Sequence, residues 1–146
     1  MTPPPVVVSC FSHLGLTVSD LRASVDFYTE VLGFVPLYTD EEEGWARVGL
    51  AVGDVLLELF SSRSDPAPRP YVDPFYPAEF GRPKIALTVV DVVGTYGRVV
   101  ATGITPLCEI TSTRVSKFFF VSDPDGTPIQ LHEFTDERQR LTELFE

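Results

Sequence analysis

The sequence predicts an α+β fold: two tandem βαβββ modules forming cup-shaped mixed sheets. Two observations carry this. The stretch His13–Asp20, HLGLTVSD, returns as Lys84–Asp91, KIALTVVD. Each copy is followed by a helix-like stretch, a glycine and three strand-like runs, and self-similarity at a long fixed period marks a repeated supersecondary unit. The 146 residues suit one domain and allow a real core. The expected organisation is a single domain, 1–146. Module one covers residues 10–62, a connecting loop 63–82, module two 83–135 and a C-terminal tail 136–146.

After the first strand, Ser19 is placed to cap a helix. Leu21, Val25, Tyr28 and Leu32 then fall on one helical stripe that ends at Gly33. Strand-like runs follow at Phe34–Tyr38, Trp45–Val52 and Val55–Phe60, separated by turn residues at Asp40–Gly44 and Gly53–Asp54. In the second module Asp91 is the cap, and Val92, Tyr96, Val99 and Val100 lead to Gly103. Gly94 and Gly97 weaken that helix. Its strands are expected at Thr105–Ile110, Lys117–Val121 and Ile129–Phe134, with the turn Asp123-Pro124-Asp125-Gly126 before the last. Residues 61–83 are rich in proline and aromatics, including Tyr71, Phe75, Tyr76 and Phe80. They read either as a loop over a sheet edge or as a lid over a pocket. In the tail, Leu141, Leu144 and Phe145 suggest a short helix used for packing or dimer contact.

Composition excludes some partners. The formal net charge is -10, and nucleic acids and anionic membranes require clustered Lys and Arg. The cysteines, Cys10 and Cys108, show no zinc or CxxC spacing. Both lie in apolar runs and are expected to be buried free thiols. The apolar run near the N-terminus is too short for a signal peptide or membrane helix, so the expected location is the cytoplasm.

Side chains alternate along strands. Leu14, Leu16 and Val18 oppose His13, Gly15 and Thr17. Val55, Leu57 and Leu59 oppose Leu56, Glu58 and Phe60. Ile85, Leu87 and Val89 oppose Lys84, Ala86 and Thr88, and Ile129 and Leu131 oppose Gln130 and His132. One face is apolar and packs under the helices. The other collects His13, Glu58, Lys84, Gln130 and His132, which a concave ligand site requires. Glu58 stands out, because a carboxylate inside an apolar run is costly without a partner. Glu133 has the apolar parity and is expected to be exposed at its strand end.

Three segments resemble the vicinal oxygen chelate superfamily, which holds glyoxalases, bleomycin-resistance proteins and extradiol dioxygenases. They are SHLGLTVSDL at Ser12–Leu21, FYTEVLGF at Phe27–Phe34 and DPDGTPIQL at Asp123–Leu131. The resemblance spans about residues 10–134 and implies a glyoxalase-like fold. In metal-dependent members the ligands are His, Glu, His and Glu from the first, fourth, fifth and eighth strands. Here those positions are His13, Glu58, Lys84 and Gln130. The implied metal ligands are therefore His13, Glu58 and Gln130, with Lys84 as the departure. An ammonium about 4 Å from a divalent ion costs roughly 8 kcal/mol at an effective dielectric near 20, so weak or absent metal binding is expected. Lys84 would instead pair with Glu58 and polarise a substrate oxygen, with His132 as general base.

Trp45, Phe60, Phe118, Phe120 and Gln130 are the candidate substrate-binding residues. The resemblance implies an enzyme of isomerase or lyase type that stabilises an enolate or oxyanion. The alternative is a metal-free protein that sequesters an antibiotic or metabolite. A ring-cleaving dioxygenase ranks third, since two of its triad ligands are missing. No nucleotide or organic cofactor is expected. A homodimer is, because relatives close open sheet edges that way.

Overall fold

A computed structural model describes residues 1–63, 74–75 and 81–145. It divides into two compact units, Met1–Asp65 and Pro66–Glu146. Each is an α+β unit with a four-stranded mixed sheet.

In the N-terminal unit the order is β1 (His13–Val18), α1 (Leu21–Asp26), a π turn (Phe27–Val31), β2 (Val35–Glu42), β3 (Trp45–Val52) and β4 (Val55–Ser61). The sheet runs β1-β4-β3-β2, with β1 parallel to β4 and the other pairs antiparallel. The expected parity holds: Val18, Val48, Leu50, Leu57 and Leu59 are buried, and β1 alternates between exposed and covered positions. Asp20, not Ser19, caps α1, accepting from the Ala23 amide at 3.0 Å. The helix then widens into the π turn, where the Leu32 amide reaches back to the Phe27 carbonyl. That insertion rotates the buried stripe. Ser24, Phe27 and Tyr28 are buried, while Leu21, Val25 and Leu32 are only half-buried. Tyr28 packs against Phe27 and Phe34, with ring centroids 5.2 and 5.4 Å away.

The second strand runs further than expected. Residues 40–42 continue the ladder, with Asp40 opposite Arg47 and Glu42 opposite Trp45, so the turn shrinks to Glu43 and Gly44. A bulge between Pro36 and Tyr38 sets Tyr38 opposite Gly49. An extra residue in one strand re-aims the side chains beyond it, and the bulge thereby brings Tyr38 onto the face that carries Glu58.

The C-terminal unit holds β5 (Ile85–Thr88), α2 (Val92–Ala101), β6 (Thr111–Ser112), β7 (Ser116–Ser122), β8 (Pro128–Phe134) and a 3₁₀ turn (Leu141–Leu144). Its sheet runs β5-β8-β7-β6, the same pattern as the first. Asp91 caps α2 as expected, accepting from the Gly94 amide at 3.0 Å. Gly94 has a reason beyond helix propensity: a Cβ there would strike the Asp91 carboxylate. Val92 and Val99 are buried, whereas Val100 is exposed. The Asp123 turn also forms, its carboxylate accepting from the amides of Asp125 at 2.9 Å and Thr127 at 2.8 Å.

Three other expectations are corrected. The strand expected over residues 105–110 is absent, and pairing begins only at Thr111. Pro106 lacks an N–H and interrupts the run, although the Leu107 amide still bonds the Phe120 carbonyl at 2.8 Å. The cysteines are free but not buried: Cys10 is exposed and Cys108 half-buried. Both lie outside the strands, so the sheets do not cover them. Glu133 is half-buried, not exposed. Its carboxylate accepts from the Val92 amide at 2.9 Å and satisfies one orphan donor at the start of α2. The tail forms its short turn, with Leu141 and Phe145 exposed and not packed against their own unit. Of the aromatics in the connecting segment, read as a sheet-edge loop or a lid, Tyr71, Tyr76 and Phe80 lie outside the described residues. No helix among the described residues is long and apolar enough to cross a membrane.

Candidate functional site

Pair registers fix which side chains share a face. In the N-terminal sheet, Gly15, Glu58 and Gly49 lie in one row across β1, β4 and β3, and Tyr38 continues the row on β2. Arg47 and Asp40 face each other in a neighbouring row. Both glycines leave space that aromatic rings occupy. A Cβ on Gly15 would press on Phe60, and a Cβ on Gly49 would overlap the ring of Tyr38. Tyr38 therefore lies across β3 through the Gly49 gap, and its hydroxyl donates to Glu58 Oε2 at 2.5 Å.

Glu58 is the centre of a charged cluster. It is buried, with its side chain 11% exposed. Oε2 also faces Arg47 Nη1 at 3.5 Å. Arg47 donates from Nε and Nη2 to a single Asp40 oxygen, at 2.8 and 2.7 Å, and its guanidinium lies 5.6 Å from the Tyr38 ring centroid. Oε1 faces His13 Nε2 at 3.4 Å, while His13 Nδ1 lies 2.6 Å from the Ser12 hydroxyl. His13 is half-exposed. Glu58 thus has three partners within its own unit: a phenol, a guanidinium and an imidazole. Lys84, the partner expected from sequence, is exposed and precedes β5, with Nζ 5.9 Å from the Phe120 ring centroid.

These contacts move two titrations. The hydrogen bond to Glu58, then burial and the Glu58 charge, hold the Tyr38 phenol above its ordinary 10.0. Asp40 holds the Arg47 guanidinium above its own ordinary value. A group whose folded pKa is raised adds stability that is complete below the unfolded pKa and is lost as pH rises through the folded one. Stability should therefore decline above about pH 10 more steeply in the parent than in Tyr38→Phe. Urea melts across the alkaline range should show the two curves converging. Parallel curves would mean that the phenol titrates as it does in the unfolded chain.

A groove of about 590 Å³ opens beside the cluster, lined by Thr17, Trp45, Arg47, Phe60, Ser61 and Arg63 among others. Arg47 belongs to both features and joins them. Two of the expected substrate-binding residues, Trp45 and Phe60, thus meet in one groove.

The C-terminal sheet repeats the register with different chemistry. Ala86 pairs with Gln130 as Gly15 pairs with Glu58, which makes Gln130 the counterpart of Glu58. Phe120 stands where the first sheet has Gly49, and Phe118 where it has Arg47. No gap opens, and the face is aromatic. Phe118 and Phe120 are buried and meet edge-on at 5.8 Å. Phe75 packs on both rings, with centroids at 5.8 and 5.2 Å. Gln130 and His132 share this face of β8 and are half-buried. Burial holds the His132 imidazole below its ordinary 6.5, and its Nε2 lies 3.1 Å from the Thr88 hydroxyl.

The donors fit a divalent ion poorly. His13 Nε2 and Glu58 Oε1 are neighbours, but the Arg47 cation beside Oε2 opposes a further positive charge. Among the described residues no group of three or more His, Cys, Asp and Glu is placed to hold a metal. Gln130 and Lys84 supply no anionic donor.

Sequence reasoning missed Tyr38, Asp40 and Arg47. The available signal was Gly49: a glycine inside a strand often marks close approach by another group.

Comparison with known proteins agrees with this architecture. Residues 11–131 match the family model of the Glyoxalase/Bleomycin resistance protein/Dioxygenase superfamily. The uncharacterized protein YaeR of Escherichia coli (strain K12) is 27% identical over 127 residues, covering 83% of this chain and 93% of that protein. The crystal structure of SMU.1112c superposes with a TM-score of 0.73 at 29% identity, covering 87% of this chain and all (100%) of that one. A glyoxalase family protein from Enterococcus faecalis gives a TM-score of 0.68 at 28% identity, covering 84% of this chain and 96% of that one.

Proposed function

This chain belongs to the Glyoxalase/Bleomycin resistance protein/Dioxygenase superfamily, and from that premise we propose that its N-terminal unit binds a small oxygen-bearing molecule and removes a proton next to a carbonyl, chemistry of isomerase and lyase type. The observation that supports this is Glu58. It is a buried carboxylate, held by Tyr38 and Arg47 on one oxygen, with the other oxygen left toward His13. Such a group is retained at a cost, and here it stands beside a groove of small-molecule size.

In this reading Glu58 Oε1 takes the proton from carbon. The electron pair released moves onto the carbonyl oxygen. Donors that line the groove, the Arg47 guanidinium and the Thr17 hydroxyl, meet the negative charge as it develops. His13 is half-exposed, with Nδ1 against Ser12 and Nε2 facing Glu58. It carries the proton between Glu58 and solvent. Trp45 and Phe60 hold the apolar part of the substrate. Divalent ions bind weakly or not at all, since Arg47 already compensates the Glu58 charge. No nucleotide or organic cofactor takes part. The homodimer expected from the family belongs to the same reading.

One observation favours a second reading. The C-terminal face, with Phe75, Phe118 and Phe120 together and the Lys84 ammonium near Phe120, suits an aromatic compound that is bound and left unchanged. Lys84, Gln130 and His132 would then orient a ligand and have no catalytic part.

Phenylpyruvate separates the two readings. It is an aromatic 2-oxo acid with an acidic C–H next to its carbonyl. In D₂O the protein should exchange that proton for deuterium well above the buffer rate, as followed by proton NMR. Binding without exchange would support the second reading and defeat the first.

A further inference from the structure

The expectation from sequence was that a lysine from the second module stands in for a metal ion beside Glu58. The structure offers a different cation. Arg47 reaches the cluster from the neighbouring strand β3. It is fixed by two bonds to Asp40, lies near the Tyr38 ring and points its remaining terminal nitrogen at Glu58 Oε2. Tyr38, admitted by the Gly49 gap, occupies the same oxygen. Oε2 is thus fully engaged by groups of this chain. Oε1 faces His13 Nε2, whose other ring nitrogen is held by Ser12. His13 and Glu58 are thus arranged as two adjacent metal ligands, each with an orienting partner. What opposes an ion is the fixed positive charge of Arg47.

We infer that Arg47 is a built-in counter-cation that keeps a latent His13–Glu58 metal site empty, and that Asp40 and Tyr38 hold it there. Arg47 is a specificity-determining residue in this sense: it decides whether Glu58 meets an ion or stays available to an organic ligand. The inference rests on the contacts around Glu58 and not on proton abstraction, so it stands or falls separately from the proposed reaction.

Charge, not shape, is the variable to change. Arg47→Gln and Arg47→Met remove it and keep much of the side chain's length, at a position whose side chain is 37% exposed. Arg47→Lys keeps the charge. Isothermal titration with nickel chloride should show both neutral variants binding about tenfold tighter or more than the parent, the range in which neighbours of metal ligands act. Arg47→Lys should match the parent. Adding His13→Ala to Arg47→Gln should cancel the gain.

A second readout includes the parent itself. The chain has two histidines, His13 and His132, so its imidazole NMR spectrum is simple. Sub-stoichiometric manganese should broaden the His13 signals selectively in Arg47→Gln and leave them as sharp as those of His132 in the parent. Selective broadening in the parent would overturn the inference. So would neutral variants that bind nickel no better than the parent, or a gain that survives loss of His13.

Discussion

Gly49→Ala should destabilise the protein by about 1–2 kcal/mol net, against the direction that strand propensity gives. Replacing a strand glycine by alanine normally gains about 0.5–1 kcal/mol. Here the new methyl would overlap the Tyr38 ring. If the ring stays, the strand must shift, and overpacking costs typically about 1–3 kcal/mol. If the ring leaves, its hydrogen bond to a buried carboxylate goes with it, which costs about 1.5–3 kcal/mol. Either loss exceeds the propensity gain. Tyr38→Ser removes the clashing ring, so Gly49→Ala should cost far less in that background. A double-mutant cycle in urea should return a coupling of about 1 kcal/mol or more. Additive effects would mean that Tyr38 does not use the Gly49 gap.

Glu58→Gln should slow the proposed proton exchange by about a hundredfold or more, the usual contribution of a positioned general base. Glutamine has nearly the same shape, and its amide oxygen can still accept from Tyr38. Arg47 keeps both bonds to Asp40. The fold should therefore persist, and the loss should appear in the rate. Charge removal also leaves a mark that a merely structural role would not. The Tyr38 phenol should fall back toward its ordinary 10.0, because both the bond to the carboxylate and its charge hold it up. Phenolate absorbance, compared with Tyr38→Phe as the blank, reads that shift. An unchanged exchange rate in a folded Glu58→Gln protein would remove Glu58 from the chemistry.

The parts of this fold that follow local rules were legible. Period-two alternation identified the faces of β1 and β4 and singled out Glu58, and it placed Gln130 on the polar face of its strand, where the registers make it the counterpart of Glu58. The cap at Asp91 followed from residue type. At the other helix the expected cap was Ser19, and the structure gives that role to its neighbour Asp20. The partners of Glu58 were not legible, because they depend on register. Tyr38 reaches Glu58 through a bulge at Pro36–Tyr38, and nothing in the apolar pattern announces that extra residue. Arg47 and Asp40 meet only because β2 continues past the point where acidic residues suggested a turn. Repetition also had a limit. It set Lys84 at the position of His13 and made it the expected partner of Glu58, and it gave no sign of Arg47, the cation on the adjacent strand of the Glu58 sheet.

A small molecule should dock in the N-terminal groove against the Glu58 cluster. Amide and side-chain NMR shifts of labelled protein, titrated with phenylpyruvate, test it most directly. The largest shifts should fall on the groove residues Thr17, Trp45, Ala46, Phe60 and Ser61, with the Trp45 indole, the only one in the chain, among them. If those signals stay still while Phe118, Phe120 and Gln130 move, the ligand does not dock in the N-terminal groove.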